Sequence, residues 1–350
     1  MKLSGRSFHL CLMYVGLFAA LIVSAILLAA CDDAMDESYE KEMALDADLD
    51  DSKVDLYVNK NKIWPSTIKV CWEQDGLEKE KGWIKAGLMY SWEAYSSVRF
   101  VDFKKCPFMG SPGYYGLRVG IDTSGAGQSY TLGLGNDLNN KSWGVVINSC
   151  PEYTTDTGRR LCMASAAAHE FGHALGFAHE QNRPESTCRP CIAGKCMPGE
   201  TCRNGQCIQG PDGNVTIGTF DKESVMSYCA SAHNANGVLS QTDILGATHY
   251  YGSAGRLTDS EVFNVDYYLN LYPSLKATFG SDKNRARRHW VVNGIREGKR
   301  AHPKIHSTYY LNRYPELAPN IGWGKNLDLN ARALFHWMTY GRDEGRIGAP

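Results

Sequence analysis

The spacing of apolar residues changes character several times along the chain. Residues 10–30 are almost uniformly apolar, and residues 32–60 are polar with no period. From Trp64 onward short alternating and apolar runs begin. TIKVCW, Thr67 to Trp72, predicts a strand, and Glu78 to Tyr95 predicts a helix with Trp83, Ile84, Leu88, Trp92 and Tyr95 on or near one face. SSVRFVDF predicts a second strand, followed by short strands at Leu117 to Ile121, Ser129 to Leu132 and Val145 to Asn148. Glycine-rich turns such as GSPG and SGAG separate them. Leu161 to Leu175 holds strong helix formers and no proline, and Gly176 is placed to end it in a left-handed conformation. Another helix is expected from Ser240 to about Tyr251, since Ser240-Gln241-Thr242-Asp243 has the form of a capping box. The pattern is that of an α+β fold whose ordered part starts near Trp64.

The C-terminal part repeats itself. YYLNLYPSL from Tyr267 recurs as YYLNRYPEL from Tyr309, an offset of 42, while HWVVNGIREGKR from His289 recurs as HWMTYGRDEGRI from His336, an offset of 47. One copy therefore carries five extra residues. Each copy is expected to form a pair of short helices closed by a glycine turn, the two packing together as one small helical unit over residues 262–350. His289 and His336 occupy equivalent aromatic-rich positions and read as packing residues. The repeat resembles short repeats appended to bacterial secreted and cell-surface proteins.

Composition adds little to this picture, because 350 residues with 21% charged side chains and a net charge of -1 are ordinary for a globular chain of two units. Nothing in that balance calls for a nucleic-acid partner. The distribution is less even: residues 32–60 hold eleven Asp and Glu against three Lys, and residues 255–350 hold fifteen Lys and Arg against nine Asp and Glu. The basic tail either is simply solvated, pairs with the acidic leader, or favours an acidic surface polymer.

The first thirty residues read as an export signal, with Lys2 and Arg6 ahead of the apolar run from Leu10 to Ala30. The ending Leu28-Ala29-Ala30-Cys31 resembles a bacterial lipobox, which implies lipidation of Cys31 and a lipid anchor to the membrane. An uncleaved membrane-spanning segment is the other reading. Either one places residues 31–63, an acidic linker or short pro-segment, and all that follows outside the cytoplasm. Apart from Cys11 and Cys31 there are ten cysteines: Cys71, Cys106, Cys150, Cys162, Cys188, Cys191, Cys196, Cys202, Cys207 and Cys229. An oxidising compartment allows them up to five bridges. Five fall within residues 188–207, where the oxidising context and the glycine-rich turns favour a disulfide knob over a metal site of their own.

The densest chemistry lies in HEFGHALGFAHEQ, residues 169–181. On a helix His169 and His173 leave the same face one turn apart, so their imidazoles can share one ion. Glu170 sits about 100° around the helix, within reach of water at that ion without being a ligand. A glycine with positive φ at Gly176 would turn the chain so that His179 approaches from another side. Three neutral nitrogens with a fourth position open to solvent is the donor set of a catalytic zinc. With 10 His and 35 Gly in the chain, a chance match to the whole pattern is on the order of one in ten thousand.

HEFGHALGFAH resembles the zinc signature of the metzincin metalloproteases, and HEQNRPE, which overlaps its end, resembles the astacin branch; HEFGHALG is equally at home in matrixins. SVMSY, Ser224 to Tyr228, resembles the Met-turn of that clan, with Met226 as its methionine. The resemblance spans about residues 64–253. It implies a twisted sheet over a zinc-binding active-site helix and one catalytic Zn2+ held by His169, His173 and His179. It further implies peptide hydrolysis with Glu170 as general base, Tyr228 stabilising the oxyanion, and an extended substrate along the strand near Ser129 to Leu132. In astacins the new N-terminus of the processed enzyme is buried against the glutamate after the third histidine, here Glu180. Two other functions stay open at this level: a cell-surface binding protein with a vestigial zinc site, and a zinc amidase acting on cell-wall peptide.

Overall fold

A computed structural model describes residues 56–350 except 110, 126, 187–200, 204–205, 209, 211–212, 218, 230–236 and 321–328. The expectations for the export signal, for Cys31, for most of the acidic leader and for the side chains of the five cysteines in 188–207 lie outside the described residues. The strands are β1 Leu56–Val58, β2 Thr67–Trp72, β3 Arg99–Lys105, β4 Leu117–Asp122, β5 Tyr130–Thr131, β6 Val145–Asn148, β7 Thr201–Arg203, β8 Gln206–Ile208 and β9 Val215–Ile217. The helices are α1 Glu78–Tyr90, α2 Trp92–Tyr95, α3 Asp156–Ala174, α4 Gln241–Tyr251, α5 Val265–Leu271, α6 Pro273–Phe279, α7 Lys283–His289, α8 Ser307–Arg313, α9 Leu317–Asn320 and α10 Leu329–His336.

β4 and β6 are buried almost throughout, as strands covered on both faces must be. They lie inside a five-stranded sheet of order β3-β2-β4-β6-β5. The pairs β2–β3, β2–β4 and β4–β6 are parallel, whereas β5 runs antiparallel to β6 and forms the edge. α1 and α3 pack on each other, and α3 also packs on β6, which sets the long helix under the sheet. Cys71–Cys106 staples β2 to the end of β3, and Cys150–Cys162 ties the chain leaving β6 to α3. Cys229 is also disulfide-bonded.

Several boundaries differ from the sequence reading, each for a local reason. Regular structure is already present at Leu56–Val58, ahead of the start expected near Trp64: these three residues are buried, and β1 pairs with β9 far along the chain. The helix expected over Glu78 to Tyr95 breaks at Ser91 (φ -109, ψ -103), whose hydroxyl donates to the Gly87 carbonyl at 2.7 Å. α3 starts at Asp156 instead of Leu161 because Thr155 caps it, accepting from the Gly158 N–H. The edge strand shrinks to Tyr130–Thr131. At Ser240 the capping box forms as the spacing predicts, with both reciprocal hydrogen bonds present.

Among the described residues the C-terminal segments each hold three short helices rather than two, and α7 and α10 continue as π turns at Trp290–Gly294 and Trp337–Gly341. In both segments a tyrosine hydroxyl meets a histidine Nδ1: Tyr268 with His289 at 2.8 Å and Tyr310 with His336 at 2.9 Å. Burial pushes His289 down to about 4, so it stays neutral in its packing role at physiological pH. These helices sit directly on the sheet-bearing part. Trp290 Nε1 donates to the Leu257 carbonyl, Arg296 to the Leu239 carbonyl, and Phe335 meets Tyr90 edge-on with ring centroids 4.7 Å apart.

Candidate metal centre

α3 delivers two histidines on one face, and the chain then leaves the helix through Gly176 at φ +97. A side chain would be strained at that angle, and the turn lets His179 fold back onto the same point. The three side chains are 1%, 5% and 5% exposed, so they have left bulk water. Their Nε2 atoms stand 3.1 Å (His169 and His173), 3.1 Å (His173 and His179) and 3.2 Å (His169 and His179) apart.

The tautomers follow from the other ring nitrogens. His169 Nδ1 donates to the Val225 carbonyl at 2.7 Å, and His173 Nδ1 donates to the Phe177 carbonyl at 2.8 Å. Each of these rings therefore turns a bare Nε2 lone pair toward the other. Lone pairs at 3.1 Å with no proton between them repel, and a cation removes the repulsion. Zinc–nitrogen bonds of about 2.0–2.1 Å in near-tetrahedral geometry give nitrogen separations of about 3.2–3.4 Å, close to the spacing here. Burial and the two neighbouring imidazoles hold His173 well below the ordinary histidine range, which keeps it neutral for a metal. The donors thus fit one zinc ion. The other cluster of ligand-type side chains among the described residues, Cys150, Glu152 and Cys162, is closed by its disulfide.

Glu170 is 4% exposed, and burial pushes its carboxyl up to about 8. Tyr228 lies over the ligands, its ring stacked on His169 at 5.3 Å and tilted against His179 at 4.6 Å. Its backbone is held by Gln181, whose Oε1 accepts the Tyr228 N–H at 3.0 Å. Met226 is fully buried beneath α3, and its carbonyl accepts the Glu180 N–H at 3.0 Å. Glu180 and Arg183 form a buried pair at 3.2 Å, and burial pushes Glu180 up to about 8 against the pull of that arginine. Gly210, on the chain returning from the cysteine-rich stretch, stands beside the third ligand: a Cβ built there would lie 3.6 Å from His179 Nδ1.

Two residues important to this arrangement escaped the sequence reading. A Cβ on Gly172 would come within 2.3 Å of the Met226 sulfur and 2.9 Å of Trp92, so only glycine lets the Met-turn pass this close to the helix. The available signal was a glycine inside an otherwise alanine-rich helix, where intrinsic propensity disfavours it. Gly172→Ala should therefore lower the thermal midpoint despite alanine's better helix propensity, as a melting curve would show. Asp243 was legible only as a cap. In the structure its carboxylate accepts from Ser224 Oγ at 2.6 Å, from the Val225 N–H at 2.8 Å and from the Ser240 N–H at 2.8 Å, pinning the Met-turn to α4.

A three-histidine site built on one helix and a glycine turn, under a mixed sheet with a buried methionine turn below, resembles the zinc centre of metzincin-type metallopeptidases. Residues 158–262 match the model of the Astacin peptidase family, so the chain is astacin-like over the segment that holds the site. Among solved structures, one described as the structure of myroilysin aligns at 22% identity, covering 55% of this chain and 97% of that one, with a TM-score of 0.39. High choriolytic enzyme 1, a hatching-enzyme zinc protease from Oryzias latipes (medaka fish), aligns at 18% identity, covering 57% of this chain and 95% of that one, with a TM-score of 0.35. No curated protein matches the chain.

Proposed function

We propose that the protein is an exported zinc endopeptidase acting on extracytoplasmic protein substrates, with His169, His173 and His179 as ligands and Glu170 as general base. The observation that carries this reading is the convergence of three buried imidazole nitrogens; a buried carboxylic acid, Glu170, follows the first of them in sequence. Zinc, when bound, supplies Lewis-acid polarisation and makes water at the site more acidic. Glu170 then takes a proton from the attacking water and hands it to the leaving amine. A cation at the three nitrogens favours the ionised form of Glu170, drawing its pKa back from the value that burial alone sets. Tyr228, held over the ligands by Gln181, stabilises the oxyanion. Met226 supports the ligands from below.

The substrate adds a strand to β5, whose outer edge is the sheet's edge and whose Tyr130 is half exposed. Gly210 stands beside His179, at the end of the cysteine-rich stretch of the sequence. Residues 64–253 would form the protease unit, extended by β1, and 262–350 the helical appendage, whose basic surface suits an acidic surface polymer. Cys31 would carry the lipid anchor.

The direct test is metal analysis joined to cleavage of a peptide library with and without a chelator. One zinc per chain and chelator-sensitive endoproteolysis are expected. A zinc-loaded protein that cleaves only cell-wall peptide amides, or none, would replace this reading with the amidase or the binding protein. Occupancy should also depend on pH. Because His173 is held below the ordinary range, zinc should remain through about pH 6.5 and be lost only at lower pH as protons displace it. Metal content after dialysis at stepped pH measures this, and retention unchanged to about pH 3 would argue against histidine ligation.

A further inference from the structure

The segment 56–63 takes no part in the chemistry above, yet it is bound to the turn that carries the third ligand. Ala178 donates its N–H to the Tyr57 carbonyl at 2.7 Å, Asn59 donates its own to the Gly176 carbonyl at 2.9 Å, and Val58 bridges to Phe177. Gly176, Phe177 and Ala178 are the residues leading directly into His179. The opposite side of the strand pairs with β9, and the Asn214 N–H meets the Val58 carbonyl at 2.9 Å. Tyr57 shares an apolar cluster with Ala178 and Leu134. Farther along, Asn136 reaches the Ile63 carbonyl and Lys62 pairs with Asp137, so the segment is fastened at both ends.

The physical need for such a strap is clear from the turn. His169 and His173 are placed by α3 itself, but α3 ends at Ala174 and His179 follows a glycine bend. A ligand on a loosely held bend must be ordered when the metal binds, and that entropy is subtracted from affinity. Backbone hydrogen bonds from an already buried strand order it beforehand.

We infer that Leu56–Asn59 is the positioning segment for His179, holding the third ligand in place for the metal, and not part of a linker. The inference rests on the zinc reading above. It is tested in the full chain with two proline variants. Asn59→Pro removes the N–H that meets Gly176, whereas Asn61→Pro removes an N–H that bonds to Asn59 Oδ1 within the strap. Zinc affinity is measured by competition with a chromophoric chelator, alongside the thermal midpoint of the metal-free protein. The zinc dissociation constant should rise about five- to tenfold in Asn59→Pro, the worth of about one net hydrogen bond, and stay within about twofold of wild type in Asn61→Pro. Tyr57→Leu, which thins the packing on Ala178, should shift affinity in the same direction and decides the matter if Asn59→Pro does not fold. Unchanged zinc affinity in the folded variants, with only the metal-free midpoint lowered, would overturn the positioning role. A wild-type protein that binds no zinc would instead bring down the zinc reading itself, and this inference with it.

Discussion

Replacing Glu170 by glutamine should leave zinc in place and remove most of the peptidase activity. The general base contributes about a hundred- to ten-thousand-fold to kcat, equivalent to roughly 2.7–5.4 kcal/mol of barrier. The substitution is also gentle on the fold. Burial pushes the Glu170 carboxyl up to about 8, so in the metal-free protein near pH 7 its protonated form predominates, and a neutral glutamine side chain matches that form in shape. The metal-free variant should therefore be at least as stable as the wild type. Single-turnover kinetics with metal analysis on the same sample separates the outcomes. Wild-type rates in the variant would remove Glu170 from the chemistry, and loss of zinc would make it a metal-holding residue instead.

Asp243→Ala is the change expected to cost most in stability. Asp243 is fully buried, and its removal strands three donors on two elements: the Ser224 hydroxyl and Val225 N–H in the Met-turn, and the Ser240 N–H at the start of α4. Hydrogen bonds to a charged acceptor are worth about 1.5–3 kcal/mol each, and orphaned buried donors add desolvation, so a loss on the order of 3 kcal/mol or more is expected. The damage should reach the metal, because Val225 also accepts the His169 Nδ1–H and would move with the freed turn. Chemical denaturation and zinc competition on one variant read both effects.

Asp243 also predicts a pH dependence. Burial raises its pKa to about 6 from 3.8, so between those values the folded protein holds a proton that the unfolded chain has released. Stability from this group is therefore greatest below about pH 4 and declines as pH rises toward 6. Asp243→Asn should flatten that part of the stability curve, and an unchanged slope would exclude Asp243 as its source.

The meeting of the three histidines was legible because its information is local. Three histidines, a glutamate and Gly176 fall within eleven residues, and helix geometry turns that spacing into directions in space. The capping box at Ser240 was readable for the same reason. Features set by distant partners were not. LYV at 56–58 follows an acidic stretch and gives no sign that it will pair with residues 215–217. Ser91 looks harmless in a helical run until its hydroxyl captures the Gly87 carbonyl. Cysteine spacing could not pair Cys71 with Cys106. Gly172 and Asp243 reveal their importance only when the Met-turn, more than fifty positions away from the glycine, comes to lie against the helix.

The edge-on contact between Phe335 and Tyr90, with the hydrogen bonds of Trp290 and Arg296, seats the C-terminal helices on the body that holds the three histidines. Were those helices to grip a matrix, as proposed above, it would meet the three histidines at a set distance and angle. Cutting would then favour peptide bonds at one reach from the point of attachment, and the pattern of nicks on an immobilised substrate would carry the imprint of that geometry.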